Sequence, residues 1–266
     1  MNIYRQELRA QCRTALVWTV SLVALAALML SIYPGMVKDV GDYRRLIEVY
    51  PAPVRAMLGI QMDKIATLPG FYAMVFSFIA VCGAIQAMNL GLSLWGREFR
   101  GHTADFLLAK PVSRTGVLTA KLLAGLTTLL LTNIIYEAAV WAMADAAAPS
   151  GFDRERFFAL NLSLLLLQLI FLALGAALAL VFTRLRASAP VSIGGVFALY
   201  MLGTLTAGTR ADRLGHVLSP FRYFDTGYIL GHGAYEPAYL ALGAAVTAAA
   251  VLAAYALARR DIRAGN

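Results

Sequence analysis

The chain has 266 residues, of which 60% are hydrophobic and 14% charged, with a net charge of +8 and a mean hydropathy of +0.68. Soluble domains carry roughly 25% charged residues, so this composition excludes a water-soluble globular protein. The two cysteines, Cys12 and Cys82, fall ahead of one apolar run and inside another; a bridge between them is implausible and they report no redox compartment.

A hydrocarbon core about 30 Å thick requires roughly 20 apolar residues in helical form. The first such run, Thr14 to Val37, follows Arg5, Arg9 and Arg13 and predicts a helix over 15–35. It is too long for the apolar core of a signal peptide and lacks a small-x-small exit, so it reads as a retained signal anchor. Ile65 to Gly96 predicts a second helix over 69–96, and Leu122 to Ala144, broken only by Glu137, a third over 118–144. Phe157 to Thr183 predicts a fourth over 157–183, Ala187 to Thr209 a fifth over 187–208, and Pro237 to Ala258 a sixth over 237–258. These runs use most of the chain, giving a single transmembrane domain over 1–266. They are continuously apolar and rich in Ala and Leu, whereas barrel strands alternate in segments of about ten. Each helix also satisfies its own backbone polar groups, as the bilayer demands. The expected fold is an all-α integral membrane protein with six transmembrane helices.

Six spans put both termini on one face. That face, comprising the N-terminus, Arg97 to Lys121, Arg184 with Arg186, and the tail, holds 13 basic and 4 acidic residues; the other face holds 10 of each. Basic residues near helix ends mark the cytoplasmic side, so both termini are expected in the cytoplasm. The same asymmetry accounts for the isoelectric point of 9.7 without nucleic acid as a partner.

Residues 97–117 carry the most specific stretch: Arg97-Glu98-Phe99-Arg100-Gly101-His102-Thr103-Ala104-Asp105-Phe106-Leu107-Leu108-Ala109-Lys110-Pro111-Val112-Ser113-Arg114, with Lys121 leading into apolar sequence. Thr103 is a candidate N-cap, Asp105 suits the positive end of a helix dipole, and Pro111 forbids continuation beyond Lys110. A short helix outside the bilayer results. It presents Phe106, Leu107 and Leu108, each of which gains about 1.5–3 kcal/mol on burial. A partner protein and the membrane surface are both compatible with that need.

This order of residues resembles the cytoplasmic coupling loop of ABC-2 type permeases, the six-helix membrane subunits of type V-like bacterial ABC exporters. The resemblance implies that Thr103 to Ala109 form a coupling helix docking in a groove of a separate ATPase subunit. Glu98 would end the second helix, and Pro111, Ser113, Arg114 and Lys121 would start the third. Gly101 stands one residue from Thr103, separated by His102, where many members have the two adjacent, which leaves the cap position open by one residue. Weaker resemblances are the charged first outer loop, Leu218-Ser219-Pro220-Phe221 ahead of the last helix, and Arg259-Arg260-Asp261-Ile262 at the end. The family further implies two permease chains, identical or related, with two ATPase subunits, in the cell inner membrane.

The sequence contains no GxxxxGK[ST] loop to cradle phosphates. ATP and Mg are therefore expected on the ATPase partner, with no cofactor bound by this chain and no enzymatic activity of its own. The histidines, His102, His216 and His232, all fall in expected loops, which argues against an intramembrane hydrolase or a metal site. A secondary transporter would be expected to show an internal repeat, and the charged loops do not repeat. A permease-like regulatory or sensory subunit would keep the same loop.

Polar groups at membrane depth tend to mark pathways, which singles out Glu137, Asn133 one turn before it, and Gln86 and Asn89 on the second helix. A translocation path, interhelical pairing and snorkelling are all compatible with them. Gly83, Ala87 and Gly91 recur at four-residue spacing, which suits internal packing and dimerisation alike. In the outer loops, residues 38–64 suggest short amphipathic helices, with a soluble lid as the alternative. Residues 214–235, dense in Phe221, Tyr223, Phe224 and Tyr228, suit a re-entrant hairpin by family resemblance or an interfacial aromatic belt.

Overall fold

The computed structural model describes residues 3–51, 64, 66–100, 114–149, 151–182 and 187–259. Its helices are α1 (Ile3–Lys38), α2 (Val40–Glu48), α3 (Leu68–Arg100), α4 (Arg114–Ala147), α5 (Arg154–Val181), α6 (Ser188–Thr206), α7 (Asp212–Leu218), α8 (Thr226–His232) and α9 (Pro237–Arg259), with a 3-10 turn at Pro220–Phe224 between α7 and α8. Among the described residues there is no strand, and six helices, α1, α3, α4, α5, α6 and α9, are long and apolar enough to cross a membrane. The chain is an all-α integral membrane protein.

Several helices outrun the apolar segments that announced them. α1 begins at Ile3 rather than near residue 15, α3 runs to Arg100, and α4 starts at Arg114. The reason is that Arg, Gln, Glu and Lys are good helix formers, so the backbone continues helical after the hydrocarbon has ended. On the N-terminal extension of α1 the two kinds of charge separate by face. Glu7 and Gln11 are buried, whereas Arg5, Arg9 and Arg13 are exposed.

The centre of the bundle is the crossing of α3 and α5. A Cβ added at Gly91 would lie 2.4 Å from the carbonyl oxygen of Leu172, and one at Gly175 would lie 2.5 Å from that of Met88. These helices therefore meet backbone to backbone, as small residues permit in membranes. Gly83 continues the contact, with Leu164 and Gln168 in the space its Cβ would take. The stripe of Gly83, Ala87 and Gly91 thus serves internal packing. α1 and α4 lie together on one side of this crossing, α6 and α9 on the others.

Both described termini are on one face: Tyr4 hydrogen-bonds Thr127 at 3.0 Å, and Thr119 hydrogen-bonds Tyr255 at 2.7 Å. On the opposite face α2, a short helix in the first outer loop, buries Ile47 and exposes Leu46.

Between α6 and α9 the chain folds back into the bundle. Ser219, fully buried, donates to the carbonyl of Leu199 at 2.8 Å. The Phe221 ring stands 5.4 Å from that of Phe171 and 5.3 Å from that of Tyr200. The 3-10 turn therefore packs between α5 and α6, inside the bundle. The chain continues through α8, where Asp225 caps the helix by accepting from the Tyr228 amide at 2.8 Å. Gly233 ends α8 at φ +70°, the left-handed conformation glycine adopts without a Cβ penalty.

Candidate functional site

Uncharged and charged polar side chains in a bilayer must find partners inside the protein. Here they form a ladder that starts at the N-terminal face and crosses four helices. Lys121, 1% exposed, donates from Nζ to Glu7 Oε1 at 2.6 Å and to the Leu94 carbonyl at 2.6 Å. One ammonium therefore joins α1, α3 and α4 at the root of the segment between α3 and α4.

The next rungs are amides and hydroxyls. Gln11 donates to Glu7 Oε2 at 3.4 Å and accepts from Thr128 at 3.0 Å. One turn further, Thr19 donates to Thr132 at 3.1 Å, and Gln86 donates to the same Thr132 oxygen at 3.3 Å. Gln168 on α5 donates to Gln86 at 3.2 Å and accepts from Asn133 at 2.5 Å. Nearer the opposite face the Tyr72 and Tyr136 hydroxyls hydrogen-bond each other, and Tyr72 donates to Asn161 Oδ1 at 2.7 Å. Glu137 accepts from the Trp141 indole at 2.6 Å. Tyr235, just ahead of α9, donates to the Ala159 carbonyl at 2.6 Å; burial, aided by the Glu137 charge, raises its phenol pKa above the usual value.

Beside the ladder, between α1 and α3, is a cavity of about 360 Å³ bordered by Gln11, Thr14, Trp18, Gln86, Asn89 and Ser93. On the other flank of α1 an apolar groove of about 550 Å³ is lined by Leu16, Val20, Leu131 and Ile135. A third cavity, about 100 Å³, separates the hairpin from α3, α5 and α6 and is bordered by Ser77, Ser163, Tyr200 and Arg222. Arg222 is held at the hairpin by Asp212 at 3.0 Å and by His216.

Of the path candidates, Gln86 and Asn133 are brought together through Gln168, Asn89 borders the α1–α3 cavity, and Glu137 stands apart with Trp141. Of the coupling residues, Lys121 is internal rather than on a surface. Arg114 begins α4, and the Glu98 backbone belongs to α3. Gly101, Thr103, Asp105, Phe106, Leu107, Leu108, Pro111 and Ser113, with the Glu98 and Arg114 side chains, lie outside the described residues.

Sequence reasoning missed Glu7, Gln11 and Gln168. Gln168 had a signal, being an amide within the fourth apolar run. Glu7 had one too: it falls among Arg5, Arg9 and Arg13, on the turn that continues the buried face of α1.

Among known proteins, the sequence model of the family described as "ABC-2 family transporter protein" matches residues 1–261. No curated protein matches the chain.

Proposed function

We propose, from the premise that this chain belongs to the ABC-2 transporter family, that it exports its substrate using ATP hydrolysed by a separate ATPase subunit. As a member of that family it is a permease subunit of an ABC transporter and a multi-pass membrane protein. The working assembly would contain two permease chains, this one twice or with a related one, and two ATPase subunits that bind ATP and Mg. It would sit in the cell inner membrane with both termini cytoplasmic, an orientation supported by the surplus of basic residues on the terminal face.

The observation that carries the coupling step is the Lys121 strut. The loop of Thr103, Asp105, Phe106, Leu107 and Leu108 would be gripped by the ATPase, and Lys121 ties the base of that loop to α1 through Glu7 and to α3 through Leu94. A pull on the loop is thereby shared among three membrane helices. Gln86 and Asn89, which border the α1–α3 cavity, would form part of the path. Asn133 ties α4 to α5 through Gln168, and Glu137, bonded to Trp141 on its own helix, would stand with Asn133 on that path.

Phe106→Ala and Leu107→Asp test this reading. Buried interface anchors cost at least about 2 kcal/mol on truncation, so each variant should release the ATPase subunit on purification or hydrolyse ATP without transport. Normal assembly and normal transport in both would refute it.

A further inference from the structure

We propose that the groove between α1 and α4 holds one chain of a phospholipid with a net negative head group, drawn from the leaflet on the N-terminal face, with Arg5 and Arg9 on its phosphate. The proposal goes beyond the permease reading and does not depend on it. Leu16 and Val20 on α1 face Leu131 and Ile135 on α4 across a groove of about 550 Å³, and all four are more than half exposed. The floor between them is made of the smaller Ala15, Thr19, Thr128 and Thr132, which is why a groove is there. The Thr19 and Thr128 hydroxyls donate to the carbonyls of Ala15 and Ala124 on their own helices, at 2.8 and 2.9 Å, which leaves methyl groups for an occupant.

One end of this apolar groove is lined by Arg9. Arg5, Arg9 and Arg13 recur at four-residue spacing, so they lie within about 80° of arc on α1, and Leu16 and Val20 fall on the same arc. By the same spacing Arg5 is set on the α4 side of Arg9, over the groove, and Arg13 on the far side. All three arginines are exposed. The acidic residue among them, Glu7, is turned away into the bundle, where Lys121 holds it at 2.6 Å. From Arg9 to Val20 the groove runs about 16 Å, and its inner end lies about 10 Å past Arg13, within one leaflet of a hydrocarbon core about 30 Å thick. A cationic mouth at head-group level thus opens onto an apolar furrow inside one leaflet, complementary in charge and in length to a single lipid.

A lipid tail is as apolar as the groove, so the chain contributes shape and the head group contributes the preference. Basic residues beside a membrane span favour anionic lipid by about fivefold each, and a guanidinium offers a phosphate two parallel hydrogen bonds. A zwitterionic head group brings the same phosphate together with a cation of its own, which the arginines repel.

The test places the whole transporter in phosphatidylcholine vesicles doped with either phosphatidylglycerol or phosphatidylcholine bearing a diazirine on one chain, and maps the photolabelled peptides by mass spectrometry. Leu252, exposed on α9, reports bulk lipid. Relative to it, the phosphatidylglycerol probe should label the peptides of Leu16 and Leu131 about tenfold more than the phosphatidylcholine probe does. Arg9→Gln should cut that ratio about fivefold, and Arg5→Gln combined with Arg9→Gln should bring it to parity, with chain labelling and melting temperature retained. Leu131→Trp, which fills the groove, should remove labelling at Leu16 by both probes and leave Leu252 unchanged. Equal groove labelling by the two probes, a preference at Leu252 as large as at the groove, or a ratio unchanged in the double arginine variant would each overturn the proposal. So would labelling at Leu16 that persists in Leu131→Trp, or a groove that neither probe reaches because a second chain covers α1 and α4. The readout needs no ATP, so its failure leaves the pump standing and failure of ATP-driven export leaves the lipid site standing.

Discussion

Two seams hold the bundle, and they are built from opposite materials. α3 meets α5 through glycines, with backbone against backbone at Gly91 and Gly175. α1 meets α4 through side chains, in rungs from Tyr4–Thr127 and Glu7–Lys121 to Thr19–Thr132. A backbone contact has a single closest distance and no rotamers with which to yield. A rung of side chains can lengthen or exchange partners, and it leaves room at its edge for a cavity. The molecule thus joins a stiff seam to an adjustable one, with the α1–α3 cavity bordering the second.

The contrast can be broken from either side. The largest effect is expected in the stiff seam. Gly91→Leu drives a side chain into the backbone of Leu172, Gly175 and Ala176, and overpacking that cannot relax costs about 3 kcal/mol or more. The variant should fail to elute as a monodisperse peak in size-exclusion chromatography, and wild-type elution and melting would refute the backbone contact.

Next comes Lys121→Met, which takes the ammonium away from the buried Glu7 carboxylate and should destabilise by about 3 kcal/mol. Adding Glu7→Leu should restore most of the loss, because the pair is then replaced by apolar groups. Thermal unfolding of the two single variants and the double reads the coupling, and a double that is the sum of the singles would show there is none.

The smallest effect belongs to a single rung. Thr19→Val removes one interhelical hydrogen bond, worth about 0.6 kcal/mol in membranes. A loss above about 2 kcal/mol in chemical unfolding would mean the α1–α4 seam is as rigid as its neighbour.

Much of this was legible beforehand. The six helices follow from hydrophobic length and flanking charge, and the fold class from their continuity. What the apolar runs hid was helix beyond the hydrocarbon, because the criterion stops at the first charge while the backbone does not; residues 3–14 and 97–100 belong here. The ladder was half legible. Gln86 and Asn133 announced themselves as amides in apolar sequence, but Gln168 joins them from a different helix. Glu7 and Lys121 pair across 114 positions, a distance no local pattern spans. Small-residue spacing on α3 could not choose between a neighbour in the same chain and one in another, since both need the same close approach. The coupling signal is of another kind and stands on residue order alone.

The length of α1 has a mechanical consequence. Its 36 residues make a rod about 54 Å long, and Thr19, bonded to Thr132, lies near its middle. Pivoting there by about 5° swings the Ile3 end by roughly 2 Å and the Lys38 end by a similar amount in the opposite sense. A nudge delivered on one side of the bilayer would then arrive on the other with its direction reversed, at a distance no single side chain could bridge.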